Sequence, residues 1–139
     1  MTNFLVNVDV PDLKAATRFY TDAFELRIGR RFGDDVVELV GGPAPMYLLA
    51  KRPGTEPFAG ASTRRDYARH WSPVHLDFIV QDLELAIARA EAAGAVRESE
   101  ISERTWGRIA FMADPFGNGF CLLQFKDRGY DEIATERAT

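Results

Sequence analysis

The sequence is poor in the residues from which disulfides and metal sites are built. Its 139 residues include one cysteine, Cys121, and only two histidines, His70 and His75. A single thiol cannot form an internal disulfide, which excludes a secreted domain held together by disulfide bonds. The sequence also has no apolar run long enough to span a bilayer and no basic N-terminal signal. We therefore expect a cytoplasmic protein that does not contact a membrane.

The sequence also has no excess of positive charge. The chain carries 17 lysines and arginines against 21 aspartates and glutamates, which gives a formal net charge of −4. General nucleic-acid binding needs a basic surface that releases counterions, so the composition argues against this class of function. The content of 46% hydrophobic and 27% charged residues is typical of a globular protein.

One pattern occurs twice in the chain, with an offset of 70 residues. Val8–Leu13 (VDVPDL) recurs as Phe78–Leu83 (FIVQDL). In each copy an alternating strand pattern leads to an aspartate, Asp12 or Asp82, and a helical pattern follows. A short carboxylate at this position can accept hydrogen bonds from the first N–H groups of the helix. The repeat therefore predicts two strand–helix units of similar structure.

Alternation in the two leading strands predicts which face of each is buried. Val6, Val8 and Val10 share one face of the first strand, and the corresponding apolar face of the second includes Leu76 and Phe78. A period of two with one apolar face indicates a strand that is covered on that side, here by the helix that follows. The opposite face then presents mainly polar groups: Asn7, Asp9, His75 and Asp77.

Both helical patterns are followed by three strand patterns separated by turns. The helices are expected from Leu13 to about Phe24 and from Leu83 to Ala93. The predicted strands are Leu26–Phe32, Val36–Val40, Met46–Lys51, Val96–Ile101, Arg108–Ala113 and Gly119–Phe125. We therefore predict an α+β fold of two βαβββ modules, residues 1–52 and 71–126. A linker at 53–70 joins them, and a tail at 127–139 follows.

Three local motifs resemble those of the vicinal oxygen chelate superfamily, which includes glyoxalases, bleomycin resistance proteins and dioxygenases. They are Val10–Leu13 with the pair Phe19-Tyr20, His75–Phe78, and the turn Asp114–Asn118 (DPFGN). Their order and spacing match the family across about residues 4–126. The resemblance implies that the two modules form a cup-shaped mixed sheet with a small-molecule ligand inside.

Many members of this superfamily also hold a divalent metal in the cup. The resemblance implies metal ligands on the first and last strands of each module, and those positions here are Leu5, Tyr47, His75 and Cys121. Histidine is a standard ligand, cysteine is a softer one, leucine cannot coordinate, and a phenol is an uncommon donor. We therefore expect no tightly bound metal, and a divalent metal held by His75 and Cys121 stays an open alternative.

The candidate site residues follow from strand parity and from the resemblance. His75 is a candidate acid–base group, with Asp77 on the same strand face to orient it. Cys121 is either a nucleophile or soft ligand or simply a small buried residue. The candidate ligand-binding residues are Asn7, Asp9, Tyr47, Asp77, Trp106 and Arg108.

Two classes of function stay open at this point, and the sequence does not decide whether the protein is an enzyme. The first is a metal-free binder of a small organic ligand, similar to the drug-sequestering members of the superfamily. The second is a metal-dependent lyase, isomerase or dioxygenase-type enzyme that uses His75. In either case an open cup of short strands leaves exposed edges, so we expect a homodimer.

Overall fold

The computed structural model describes residues 1–138 and confirms the predicted α+β class with its repeated strand–helix–strand units. The first module contains β1 (Val6–Val10), α1 (Leu13–Phe24), β2 (Arg27–Phe32), β3 (Val36–Val40) and β4 (Met46–Ala50).

The second module has one strand more than the first. It contains β5 (Leu76–Ile79), α2 (Leu83–Ala93), β6 (Val96–Arg97), β7 (Ser102–Arg104), β8 (Gly107–Ala113) and β9 (Gly119–Phe125), and a short 3-10 helix follows at Gly129–Glu132. None of the helices in residues 1–138 combines the length and the apolar character that a membrane crossing requires.

The predicted strand Val96–Ile101 is replaced by the two short strands β6 and β7. Glu98 N–H still donates to Phe111 O at 2.8 Å, but the next inter-strand bond is made by a side chain. Phe111 N–H donates to Ser99 Oγ at 2.9 Å. A serine side chain that takes the place of a backbone acceptor interrupts the ladder, and the strand pairs again only at Ser102.

Both helices begin at the predicted aspartate caps. Asp12 accepts a hydrogen bond from Ala15 N at 3.0 Å, and Asp82 accepts one from Leu85 N at 3.0 Å. At the C-terminal ends, Glu25 and Gly94 adopt left-handed conformations with φ of 56° and 118°. Gly94 has no Cβ to strain this turn, whereas Glu25 adopts it at a modest cost.

Each module has its own mixed sheet. The strand order is β1-β4-β3-β2 in the first sheet and β5-β9-β8-β6 in the second, with β7 also paired to β8. The leading strand of each module pairs in parallel with its last strand, β1 with β4 and β5 with β9. The leading strands therefore lie at sheet edges.

The core lies between the helices and one face of each sheet, and it continues from one module into the other. Phe24 on α1 stacks on Phe78 of β5, with ring centroids 3.8 Å apart, and meets Phe120 of β9 edge-on at 5.3 Å. The two helices also pack against each other. Contacts between these aromatic rings join the two modules.

Candidate functional site

The face of each sheet opposite its helix carries most of the candidate site residues, and we call it the open face. Val37 and Leu48 in the first sheet, and Met112 and Leu122 in the second, are buried toward the helices. Their sequence neighbours point the other way, as strand geometry requires. Polar groups on the open faces are therefore placed by the alternation that the sequence predicted.

In the second module the open face brings together His75, Asp77 and Cys121. Asp77 on β5 is in direct register with Cys121 on β9. His75 Nδ1 lies 2.9 Å from Asp77 Oδ1. One ligating atom from each of the three side chains lies within 4.8 Å of the others. The structure thus unites the two candidate catalytic residues with one candidate ligand-binding residue.

Cys121 does not have the character of an activated nucleophile in this setting. Its side chain is 4% exposed. Burial, reinforced by the negative charge of Asp77 and a hydrogen bond to it, raises the pKa of the thiol to about 12. The thiolate is the reactive form, so the thiol is unreactive near neutral pH.

A pocket of about 200 Å³ opens beside His75 and Cys121, and we call it the open-face pocket. Met112 and Phe120, which lie on the helix side of the sheet, line it together with Phe111 and Cys121 of the open face. Its walls are largely apolar and aromatic, and an ion pair lies at its edge. The lining residues are Arg69, Trp71, Ser72, His75, Glu98, Phe111, Met112, Gly119, Phe120 and Cys121. Such a combination of apolar walls with a few polar groups is typical of small-molecule sites.

The ion pair at the edge of the pocket ties the linker to the second module. Arg69 donates two hydrogen bonds to Glu98, at 2.7 and 3.0 Å. A Cβ at Gly119 would lie 2.6 Å from Arg69 Nη2, so glycine is needed there for the guanidinium to approach. Sequence reasoning did not assign Arg69, Glu98 or Phe111 to the site. The alternation along its strand would have identified Phe111, because it places this residue on the open face.

A wider cleft of about 490 Å³ separates the edge strands of the two modules. Asn7 and Asp9 of β1 line it together with His75. Asp9 accepts a hydrogen bond from Arg65 Nε of the linker at 2.8 Å, which neutralises its carboxylate. The candidate residues of β1 and the candidate histidine are therefore brought to one cleft.

Tyr47, the remaining candidate on the first module, belongs to a separate polar cluster on that module's open face. Its hydroxyl donates to Glu38 Oε2 at 2.6 Å. Arg30 donates to the same carboxylate through Nε at 2.9 Å and Nη2 at 2.6 Å. Hydrogen bonds from Arg30 and Tyr47 lower the pKa of Glu38 to about 2, and the Glu38 carboxylate raises the pKa of Tyr47. Glu38 and Arg30 were not predicted as site residues.

Trp106 and Arg108 lie away from the other candidates. Trp106 packs edge-on against Phe125 and Tyr130, at centroid distances of 5.9 and 5.1 Å. Arg108 forms ion pairs with Glu84 at the start of α2 and with Glu103 of β7. The contact with α2 places Arg108 on the helix side of its sheet. The structure gives both residues packing partners and does not bring them to the open-face pocket.

The donors at the four metal positions implied by the resemblance form only part of a metal site. Leu5 offers no donor atom, and the Tyr47 hydroxyl is engaged by Glu38 and Arg30. His75 and Cys121 remain, and Asp77 is close enough to act with them as a third donor. This set of nitrogen, sulfur and oxygen atoms is softer than a carboxylate-rich set and suits zinc better than manganese or iron.

Comparison with known families gives one match that covers most of the chain. The family described as "Glyoxalase-like domain" matches residues 5–123. Among curated proteins, none matches this chain at a significant level.

Several solved structures share the fold at low sequence identity. A fosfomycin resistance protein, FosX, from Listeria monocytogenes superposes with a TM-score of 0.71 at 14% identity, covering 96% of this chain and 98% of that one. A mutant FosX from the same organism, complexed with Mn(II) and 1S,2S-dihydroxypropylphosphonic acid, gives 0.66 at 16% identity over 88% and 90%. A glyoxalase/bleomycin resistance protein/dioxygenase family enzyme from Burkholderia phytofirmans PsJN gives 0.68 at 20% identity over 88% and 97%.

Proposed function

Because this chain belongs to the family of glyoxalase-like domains, we propose that it binds a small organic ligand in the open-face pocket of the second module, without a tightly held metal. The observation that carries the proposal is the histidine–carboxylate pair of His75 and Asp77 beside a largely apolar pocket. Such a pair can position the polar part of a ligand while the walls cover its apolar part.

The hydrogen bond between the two side chains determines what His75 can offer. When the neutral imidazole carries its proton on Nδ1 and donates a hydrogen bond to Asp77, Nε2 is a hydrogen-bond acceptor. When both ring nitrogens carry a proton, Nε2 is a donor. His75 can therefore orient a ligand hydroxyl or carbonyl, and in an enzyme it would be the residue that moves a proton.

Among the strand residues that line this pocket, Phe111 exposes the largest apolar surface. Substitution of Phe111 therefore tests whether the pocket binds apolar groups. The fluorescent dye 8-anilinonaphthalene-1-sulfonate is a suitable probe because its rings need an apolar surface. We expect saturable binding to the wild type and about tenfold or more weaker binding to Phe111→Ser, since an aromatic side chain contributes about 1.5–3 kcal/mol on burial.

The matched control for this experiment is Leu85→Ser, which removes an exposed apolar side chain from α2. We expect the dye to bind this variant as it binds the wild type. Equal dye affinity for all three proteins would place the binding surface outside the pocket and contradict the proposal.

A second candidate function, a divalent-metal enzyme, is favoured by one observation, the convergence of donors from His75, Asp77 and Cys121 within 4.8 Å. These three residues would hold the metal, which would act as a Lewis acid on substrate oxygens. A FosX structure of the same fold contains Mn(II). The metal content of the purified protein separates the two candidates.

A further inference from the structure

The polar cluster of the first module occupies the same position in the fold as the cluster around His75 in the second. Asn7 on β1 is in register with Tyr47 on β4, and Tyr47 is in register with Glu38 on β3. In the second module the corresponding row runs from Asp77 on β5 through Cys121 on β9 to Phe111 on β8. Asn7 and Asp77 are separated by the 70-residue offset of the repeat. Both rows therefore cross the open faces at equivalent places.

Glu38 is an unusual residue for this strand, and the surrounding residues are adapted to it. The other four residues of β3 are apolar, yet Glu38 is buried to 7% exposure. A Cβ on Gly29 would lie 2.5 Å from Glu38 Oε1, and the pairing of β2 with β3 is irregular between Ile28 and Arg31. Because burial of a carboxylate away from water opposes folding, a glutamate in this strand needs partners that offset the cost, and Arg30 and Tyr47 supply them.

The effect of the cluster is to hold the guanidinium of Arg30 in one orientation while leaving it accessible. The Arg30 side chain is 65% exposed although two of its nitrogens are bound to Glu38. Within residues 1–138 these bonds engage Nε and Nη2, and Nη1 is not used in them. A guanidinium fixed in this way loses little side-chain entropy when it binds an anion.

Aromatic rings lie next to the guanidinium on the same face. The Arg30 guanidinium carbon is 5.4 Å from the centroid of the Phe32 ring, and the Phe32 and Tyr47 ring centroids are 6.2 Å apart. Arg27, which is in register with Val40, adds a second exposed cation to this face. The patch thus combines positive charge with flat apolar surface.

We propose that this patch is a second ligand site, which binds an aromatic carboxylic acid. The carboxylate of the ligand accepts a hydrogen bond from Arg30 Nη1, and the ring of the ligand packs against Phe32 and Tyr47. None of Arg30, Phe32 and Tyr47 lines the pocket beside His75, so binding at this patch does not depend on the function proposed for that pocket. A charge-assisted hydrogen bond from a fixed guanidinium gives preference for the anion over a neutral ligand of equal shape.

Benzoate and its neutral analogue benzamide test the proposal directly. In titrations followed by nitrogen-15 NMR, we expect benzoate to shift the Arg30 Nε–H signal and the backbone signals of Phe32 and Tyr47 with a saturable isotherm. Benzamide should bind about tenfold or more weakly, because it lacks the charge that Arg30 recognises. Equal affinity for the two compounds would overturn the proposal.

Variants separate this site from a general effect of charge and from the other pocket. Removing Arg30 alone would leave Glu38 buried without its cation, so the informative variant is the double substitution Arg30→Gln/Glu38→Gln. We expect it to lose benzoate binding. The matched control is Arg31→Gln, because Arg31 is in register with buried Val37 and therefore lies on the helix side of the sheet. This variant should keep benzoate binding.

His75→Ala should also keep benzoate binding at the first module, even if it loses ligands at the second. Benzoate-induced shifts that map to the pocket beside His75, or binding that survives in the double variant, would refute a site at Arg30. If Phe111→Ser loses dye binding but keeps benzoate binding at Arg30, the two sites are independent.

Discussion

The hydroxyl of Tyr20 on α1 donates a buried hydrogen bond of 2.6 Å to Asp114 Oδ2, which lies just after β8 in the other module. Asp114 also accepts bonds from the backbone N–H groups of Phe116 and Asn118 and from the Asn118 side chain. Two of the motifs that resemble the superfamily, Phe19-Tyr20 and the Asp-Pro turn, are therefore parts of one contact. This contact joins the modules and closes the turn that leads into β9.

Replacing Tyr20 by phenylalanine removes this bond and leaves the ring in place. We expect the free energy of unfolding to fall by about 1–2 kcal/mol, because Asp114 keeps its three other donors. Urea denaturation of wild type and variant measures the change. Tyr130→Phe, at an exposed position, is the control, and an equal loss in both variants would contradict a specific role for the buried bond.

Glu38 should make folding stability sensitive to acid. Its pKa is lowered from 4.5 to about 2 in the folded chain by Arg30 and Tyr47. A group whose folded pKa is depressed stabilises the fold above its unfolded pKa and loses that effect as the pH falls to the folded value. The stability gap between wild type and Glu38→Gln should therefore shrink between pH 4.5 and pH 2.

Urea midpoints measured at several pH values across this range test the expectation. Glu91→Gln, at an exposed position of α2, serves as the control and should differ little from wild type at every pH. A gap between wild type and Glu38→Gln that stays constant with pH would mean that the Glu38 carboxylate is not stabilised in the fold.

Local patterns in the sequence predicted most of the fold because they reflect local physics. Asp12 and Asp82 cap the helices as expected, and the alternation of β1 and β5 places His75, Asp77 and Asn7 on the open faces. The break between β6 and β7 was missed because it depends on Ser99 Oγ, whose partner Phe111 is remote in sequence.

The candidate site was only partly predictable, because two of its parts depend on packing between strands. Glu38 lies within an apolar strand, and nothing in that segment shows that Arg30 would reach it across an irregular pairing. Arg108 was assigned to the ligand because of its residue type, whereas its strand position directs it toward Glu84 on α2. Side-chain chemistry alone does not reveal which face of a sheet a residue occupies.

Cys121 should react slowly with thiol reagents. A pKa of about 12 leaves about three orders of magnitude less thiolate at pH 8 than an ordinary cysteine has. Labelling with 5,5′-dithiobis(2-nitrobenzoate) should accelerate in Asp77→Asn, since the negative charge of Asp77 contributes to the raised pKa. Labelling of the folded wild type at the rate of the urea-unfolded chain would contradict this description.

We predict a homodimer. The edge strands β1 and β5 lie beside the inter-module cleft, and large apolar side chains near β5 are exposed, including Trp71 at 81% and Ile79 at 65%. Uncovered edges and apolar surface of this kind favour association, most often with two-fold symmetry. Light scattering at micromolar concentrations should give twice the chain mass, and Ile79→Lys should lower it. A strict monomer would contradict the prediction.

We predict that the pocket beside His75 works without a tightly held metal. At the positions where the superfamily holds a metal, His75 and Cys121 supply donors, Asp77 adds a third, and Leu5 supplies none. A stable catalytic site normally has three protein ligands, and here the third would have to be Asp77, whose Oδ1 already pairs with His75 Nδ1 at 2.9 Å.

Elemental analysis of the protein, purified without chelator and without an affinity metal, tests this claim most directly. The measurement compares the wild type with His75→Ala, which removes the strongest donor. We expect far less than one zinc, iron, manganese or nickel ion per chain in both proteins. Near-stoichiometric metal in the wild type that disappears in His75→Ala would contradict the claim and identify the protein as a metal-dependent member of its family.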